Sequence, residues 1–535
     1  MQENFIYFIY LILIILALVM LANKLKLPYP IVLVVGGLAL SFSNVFSNVT
    51  IDPNLIFFIF LPPLLYEAAW QVSWKQFWKF RRVIMSFAFP IVILTSCVVA
   101  FASNAIIPGF TLALGFLLGG IVSPPDAVSA TTIMRQVKVP KAMVTIAEGE
   151  SLLNDASSLI VFRFAMAAII TGQFNFGEAT TSFFLVIIMG TLIGLAIGLI
   201  VYCIHRYLIR SANVEIVLTL VTPYVMYYFA EHYHFSGVLA VVSGGLFLSS
   251  KRQSMLTYVS RVQGVNVWVN FVFVLNGLIF LLIGLQLPSI VQQLGNTSLS
   301  SAIGYGLAIS LVLIITRLLC TIGAVYFTKF MSNFITVADR NPGFKGPIIL
   351  GWAGMRGVVS LAMALSIPLL INEQAFPYRN LILFITFIVI LVTLVFQGLT
   401  LPWLIRKLNL QERPEIIPDQ EQELIIQKKI SKASLDLLQE KYHAERQHNQ
   451  HLDNLFSRLQ LDMDFFQQDR KEIINSPDNS ITNFRRIYLE LLERQRQMLT
   501  EMNRRDEFDE ELIRKYLALI DMEEFKIREK TLEEI

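Results

Sequence analysis

The sequence predicts an all-α polytopic membrane protein of about thirteen transmembrane helices, with inverted repeats and discontinuous crossing helices, followed by a soluble helical C-terminal domain. Three observations predict it. First, charge content changes abruptly along the 535 residues: residues 1–410 hold 23 Lys+Arg and 12 Asp+Glu, a net +11, while 411–535 hold 20 and 28, a net −8. A soluble domain carries about 25% charged residues, so the first part is too apolar to be one and the second too charged to lie in hydrocarbon. Second, apolar stretches able to cross about 30 Å of hydrocarbon, roughly 17 to 25 residues each, recur along residues 1–410. Third, the basic residues between those stretches alternate as a fixed set of crossings requires.

The thirteen stretches run 6–23, 29–44, 51–70, 83–107, 109–131, 142–171, 179–203, 213–231, 236–250, 264–288, 299–327, 346–371 and 379–405. The first has neither a basic n-region nor a small-residue cleavage site, so it reads as a retained span. Short cytoplasmic loops collect Lys and Arg. Loops after odd-numbered spans hold 17 basic residues, from Lys24 and Lys26 through Lys75, Lys79, Arg81 and Arg82 to Arg340 and Lys345, whereas loops after even-numbered spans hold only Arg379. One missed or invented span would scramble that alternation. The expected topology is therefore multi-pass in the plasma membrane, N-terminus outside and C-terminus cytoplasmic.

Composition excludes several functions. Cys97, Cys203 and Cys320 all sit in apolar runs, so neither a disulfide framework nor metal-ligand spacing is implied. The basic residues form no stripe with interleaved aromatics, which argues against a nucleic-acid partner. No phosphate loop or catalytic constellation occurs in the charged tail, and the chain is not expected to be an enzyme or to hold a cofactor.

Ionisable residues inside apolar runs cost about 2.5 to 3.5 kcal/mol each on insertion scales, and so mark function by default. In span five, Pro124 and Pro125 directly precede Asp126. Two prolines remove two backbone donors, so the helix should break there and leave carbonyl oxygens, that of Pro125 included, beside a carboxylate. Such an oxygen-rich site suits a hard cation such as Na⁺ or K⁺. Span six contains EGESLLND, residues 148–155. Glu150 and Asn154 share one helical face, Ser151 and Asp155 the next, and Asp155 falls near the bilayer centre with no cation in its own turn. Span twelve carries Arg356 in GMRG; a buried Arg needs a carboxylate, and Glu150 is the expected counter-ion, with Asn154 bridging. Gly354 and Gly357 would allow close helix approach. Spans five and twelve cross in opposite senses, the arrangement by which inverted repeats build a midplane site. Glu67, near the inner end of span three, is a candidate for lining a cytoplasmic funnel. Arg163 and Arg317 are expected to make structural pairs.

EGESLLND followed by GMRG, with a Pro-Asp break one span upstream, resembles the monovalent cation/proton antiporters of the NhaP and NHE branch, over roughly residues 5–407. The resemblance implies a homodimer with an interface domain and a six-helix transport bundle, here spans four to six and eleven to thirteen. It implies that Asp155, Asp126, Ser151 and the backbone carbonyl of Pro125 hold the cation, and that Glu150, Asn154 and Arg356 form a supporting ion pair. Many relatives have Thr directly before the span-five Asp, where this chain has Pro125; one side-chain oxygen is lost, leaving Ser123, water or carbonyls to replace it.

Mechanism follows from charge. Burial disfavours a bare carboxylate, so proton and cation compete for Asp155. Either occupant neutralises the site and lets it move, while the empty charged site is held back, which gives obligatory exchange. Asn154 stands where electrogenic relatives carry a second Asp, implying one cation, Na⁺ first and Li⁺ or K⁺ as alternatives, per proton. The competing expectation is a cation-coupled symporter or cation channel using the same carboxylates. A channel needs a continuous polar path, and these acids cluster at one depth.

Beyond a hinge at 411–418, residues 419–472 and about 480–533 show helical spacing of apolar residues among dense charge, with a break at 475–479. The stretch 504–530 resembles the tails of a bacterial sub-branch of these antiporters, which implies a regulatory or dimer-stabilising role for the unit 411–535. The membrane unit is 1–410, and its remaining partner is lipid.

Overall fold

The computed structural model describes residues 2–41, 56–137, 139–172, 176–209, 211–292, 294, 297–331, 343–371, 374–410, 419–467, 480–502, 513, 516, 517 and 519–525. The expected hinge at 411–418, the break at 475–479, Lys138, Arg210, Arg340 and most of 504–530 lie outside them. The chain divides into two compact units, 1–412 and 413–535.

In the first unit, helices occupy every expected apolar stretch. They are α1 (Gln2–Leu25), α2 (Tyr29–Ser41), α3 (Leu61–Gln71), α4 (Trp74–Ile106), α5 (Leu112–Val122), α6 (Ala127–Gln136), α7 (Lys141–Thr171), α8 (Phe176–Cys203), α9 (Ala212–His232), α10 (Gly237–Met255), α11 (Tyr258–Leu285), α12 (Leu287–Gln292), α13 (Leu299–Met331), α14 (Lys345–Trp352), α15 (Val358–Leu365) and α16 (Arg379–Leu408). Among the described residues, seven helical segments are long and apolar enough to cross a membrane: α4, the broken pair α5–α6, α7, Thr181–Leu208, Tyr258–Gln292, Leu299–Phe330 and α16.

Local chemistry explains the boundaries. Thr111 caps α5 by accepting from the Leu114 N–H at 3.3 Å, and Ser236 caps α10 by accepting from Leu239 N–H at 3.2 Å. Gly172, with φ at 70°, ends α7 in the left-handed conformation that an L side chain resists. Pro90 cannot donate, and α4 passes it through a π-helical turn at Phe87–Ile91. Two boundaries differ from expectation. Span twelve ends at Leu365, and a two-residue hairpin, β1 (Leu370–Ile371) antiparallel to β2 (Gln374–Ala375), follows; Pro368 bars the helix from continuing. Span four starts at Trp74, because the charged segment 74–82 continues the same helix.

Packing falls into two apolar clusters. One joins side chains of α4, α5, α6, α7, α13, α14, α15 and α16 with α1, α2 and α11. The other gathers α3, α10 and parts of α4, α7, α9 and α11 around Tyr66, Met226 and Trp268. The order long helix, broken helix, long helix thus occurs twice, as α4 to α7 and as α13 to α16, and both copies meet in the first cluster.

The second unit is helical: α17 (Asp419–Glu440), α18 (His443–His448), α19 (Gln450–Gln467) and α20 (Ser480–Met502). Arg496 on α20 pairs with Glu493, Asp521 and Glu524 at 2.6 to 2.7 Å.

Candidate functional site

The two breaks cross each other. Between α5 and α6 the chain unwinds over Ser123–Asp126, between α14 and α15 over Ala353–Gly357, and the Asp126 N–H donates to the Met355 carbonyl at 2.7 Å. Unwound backbone at this depth survives only if its polar groups find partners within the protein. That bond is one such partner. Asn154 supplies another, its Nδ2 donating to the Pro125 carbonyl at 2.8 Å.

Opposite charges meet the half-helix ends. Asp126 is the N-cap of α6, its Oδ1 accepting from Val128 N–H at 2.9 Å. From the next helix, Ser151 Oγ accepts the Ala127 N–H at 3.2 Å. The positive end of α6 is therefore lined with oxygen, as its dipole favours. Arg356, fully buried, sits at the carbonyl end of α5: Nε donates to Val122 O at 2.9 Å, Nη2 to Ser123 O at 3.2 Å and Nη1 to Gly354 O, while Thr393 Oγ1 accepts its backbone N–H at 3.1 Å.

This geometry corrects the expected ion pair. Glu150 pairs with Arg317 of α13, not with Arg356: Nη1 lies 2.6 Å from Oε1 and Nη2 donates to Oε2 at 2.7 Å, with both side chains 3% exposed. The reason is that Arg356 is committed to the orphan carbonyls of α5. Asn154, expected as a bridge in that pair, braces Pro125 instead. Arg163 pairs with Glu231 at 2.6 Å.

Asp155 is 6% exposed on α7, close enough to Asp126 for the two carboxylates to interact. Among the described residues no side chain or N–H donates to the Asp155 carboxylate, and Asp126 Oδ2 is buried without a partner. A cavity of about 10 Å³ adjoins the crossing, lined by Pro125, Asp126, Ala127, Glu150, Arg317 and Ala353 among others, room for about one water-sized occupant. Of the expected ligands, Asp126 and Pro125 line this cavity and Asp155 and Ser151 do not; Ser151 reaches the same break through its bond to the Ala127 N–H. The Ser123 hydroxyl does not join them; it lies 2.8 Å from Ser96 Oγ. Gly357 is required by proximity, since a Cβ there would collide with the Asp126 carboxylate, and Gly354 leaves room for Arg317 and Arg356.

Glu67 lies apart from this cluster. It borders a cavity of about 170 Å³ with Trp70, Arg252, Arg261 and Trp268, and Gln71 Nε2 donates to it. It is also within electrostatic range of the Arg135–Glu148 pair, whose N···O distance is 2.7 Å.

Residues 10–407 match the family model described as "Sodium/hydrogen exchanger, transmembrane". The chain belongs to the sodium/hydrogen exchanger family. Exchangers of this family are membrane transporters that carry cations and protons. The chain is 32% identical over 395 residues to the "Sodium, potassium, lithium and rubidium/H(+) antiporter" of Bacillus pumilus, covering 72% of this chain but only 59% of that protein's length. It is 28% identical over 515 residues, 95% of this chain and 93% of the relative, to the "Uncharacterized Na(+)/H(+) exchanger Mb2309" of Mycobacterium bovis, so likeness extends into the second unit. Among solved structures it resembles the sodium proton antiporter MjNhaP1 of Methanocaldococcus jannaschii, with a TM-score of 0.59, 18% identity, and coverage of 74% of this chain and 99% of that one, a likeness of fold.

Proposed function

We propose that this exchanger family member is a secondary antiporter that trades one monovalent cation, Na⁺ foremost, for one proton. The exchange takes place at Asp155 and Asp126, with Ser151 and the Pro125 carbonyl completing the ligand set. The observation that carries the reading is the pair of interacting buried carboxylates at the crossing, one with an oxygen that no described group satisfies. Two bare carboxylates in a dry site repel each other, and a bound cation or proton relieves that repulsion. Occupancy by either, but not by neither, permits the site to change sides.

Stoichiometry follows from the side chains. With Asn154 neutral and Glu150 neutralised by Arg317, the Asp155 and Asp126 carboxylates and the Arg356 guanidinium, which has only carbonyl partners, leave one net negative charge at the crossing, consistent with one-for-one, electroneutral exchange. Replacing a side-chain hydroxyl by Pro125 leaves carbonyl and carboxylate oxygens to do the selecting, and the Bacillus pumilus relative's name gives four alkali cations, which suggests that K⁺ and Li⁺ compete with Na⁺ here. The further parts of the proposal are a homodimer in the plasma membrane with its N-terminus outside and C-terminus cytoplasmic, Glu67 on the inner approach to the site, and a regulatory or dimer-stabilising unit at 411–535.

The test is purified protein in proteoliposomes with the membrane potential clamped. Cation-driven pH change should appear with wild type, be independent of voltage, and vanish in Asp155→Asn while the variant keeps its elution profile and helical content. Exchange surviving in Asp155→Asn would move the site elsewhere, and voltage dependence would defeat the one-for-one ratio.

A further inference from the structure

The basic loops supply the topology signal, yet most of their described arginines are spent inside the protein. Arg135 pairs with Glu148, Arg206 donates to the Ser254 carbonyl at 2.8 Å, Arg252 to that of Arg261 at 3.4 Å, and Arg261 to that of Leu256 at 2.7 Å. The first three turns of α4, WKQFWKFRRV, gather more bases than any of these, although Arg81 Nη1 there also donates to a carbonyl, that of Trp78, at 2.6 Å. They place Lys75, Lys79, Arg81 and Arg82 within eight residues, and no acid occurs anywhere from residue 68 to 125. Among the described residues Lys75 and Lys79 make no ion pair. Trp74 and Trp78, one turn apart and 48% and 54% exposed, stack at 5.8 Å, and the Arg81 guanidinium lies 4.5 Å over the Trp78 ring.

We infer that this face of α4 is a docking surface for the headgroups of anionic phospholipids in the leaflet on the side of the basic loops. Charge complementarity selects the occupant: a helical segment that carries four bases and no acid suits phosphate. The exposed indoles are the side chains that settle at the boundary between headgroups and acyl chains, and the cation over Trp78 is held ready at that depth. A lipid, unlike free phosphate, satisfies the bases and the indoles together.

The opposite face of the same turns grips the helix that carries the site. Gln76 Oε1 accepts from Thr145 Oγ1 at 2.6 Å, Phe77 and Ile84 are buried, and Ile84 occupies the space that a side chain at Gly149 would need. Gly149 directly precedes Glu150. A headgroup bound to α4 therefore steadies α7 next to the buried ion pair, and transport should depend on lipid charge.

The test uses the full chain in phosphatidylcholine vesicles with and without phosphatidylglycerol, with bromine on the acyl chains of either lipid as a quencher of tryptophan fluorescence. In wild type, brominated phosphatidylglycerol should quench more strongly than brominated phosphatidylcholine. Each Lys or Arg is worth roughly fivefold in headgroup affinity, so K75Q/K79Q/R81Q should abolish that preference, while K75R/K79R should keep it. Exchange should run several-fold faster with phosphatidylglycerol in wild type and lose that gain in the triple variant. Equal quenching by the two lipids in wild type, or a preference undiminished in the triple variant, overturns the inference. So does equal stimulation by inorganic phosphate in pure phosphatidylcholine. Quenching reads binding without transport, so it stands or falls separately from the antiport reading.

Discussion

The two broken helices make the same backbone interruption serve opposite ends. At the first, a carboxylate, Asp126, caps α6 with one oxygen and leaves the other buried without a described partner. At the second, a guanidinium, Arg356, has a carbonyl acceptor for each of its three nitrogens. A satisfied buried charge holds structure, and an unsatisfied one awaits a ligand. The difference teaches that charge at membrane depth does not by itself mark the transported ion's site; the state of its partners does.

That contrast can be broken by substitution. Asp126→Asn keeps a good helix cap, so it should abolish cation-driven exchange while changing the midpoint of thermal unfolding little. A parallel loss of stability would place Asp126 with the structural charges. Glu150→Gln leaves Arg317 buried without its carboxylate and should destabilise by about 3 to 5 kcal/mol, read as a lowered unfolding midpoint in detergent; an unchanged midpoint would show that the pair contributes nothing. Arg356→Lys keeps the charge but cannot reach the carbonyls of Val122, Ser123 and Gly354 together. It should cost about 2 to 4 kcal/mol through orphaned acceptors, with the apparent cation affinity of the surviving folded protein nearly unchanged. The smallest effect belongs to removal of residues 411–535, which should leave maximal exchange in place and shift only its pH dependence or the stability of the dimer. If neither moves, the second unit has no regulatory part.

Much of this was legible in the sequence. Apolar runs and alternating bases gave the order of the helices, and Pro124 and Pro125 marked the first break, whereas Gly354 and Gly357 point to close helix approach rather than to the position of the second. Asp126 and Asp155 stand out in the sequence because a carboxylate in an apolar run has no cheaper explanation than function, while Ser151 enters only through the family resemblance and its place one turn before Asp155. The partner of Glu150 does not stand out, because sequence does not say how a helix is rotated. Arg317 lies in an unbroken apolar run 167 positions from Glu150, and nothing local distinguishes it from Arg356 as a counter-ion. One signal was available: the last turn of α5 must lose its acceptors' partners at Pro124 and Pro125, and a nearby Arg is the group best able to replace several N–H donors at once. The start of α4 was hidden for a different reason, since a search for apolar length stops at the charged residues 74–82 although the helix does not.

The central claim is that proton and cation compete for the same buried carboxylates, and the most direct measurement is the apparent KM for Na⁺ in proteoliposomes as a function of pH. Competition predicts that in the acidic range KM rises by about tenfold per unit fall in pH, the factor set by one proton per site, while maximal rate at saturating Na⁺ stays level. A KM that does not change with pH, with the maximal rate falling instead, would mean that protons act at another site and would contradict the account.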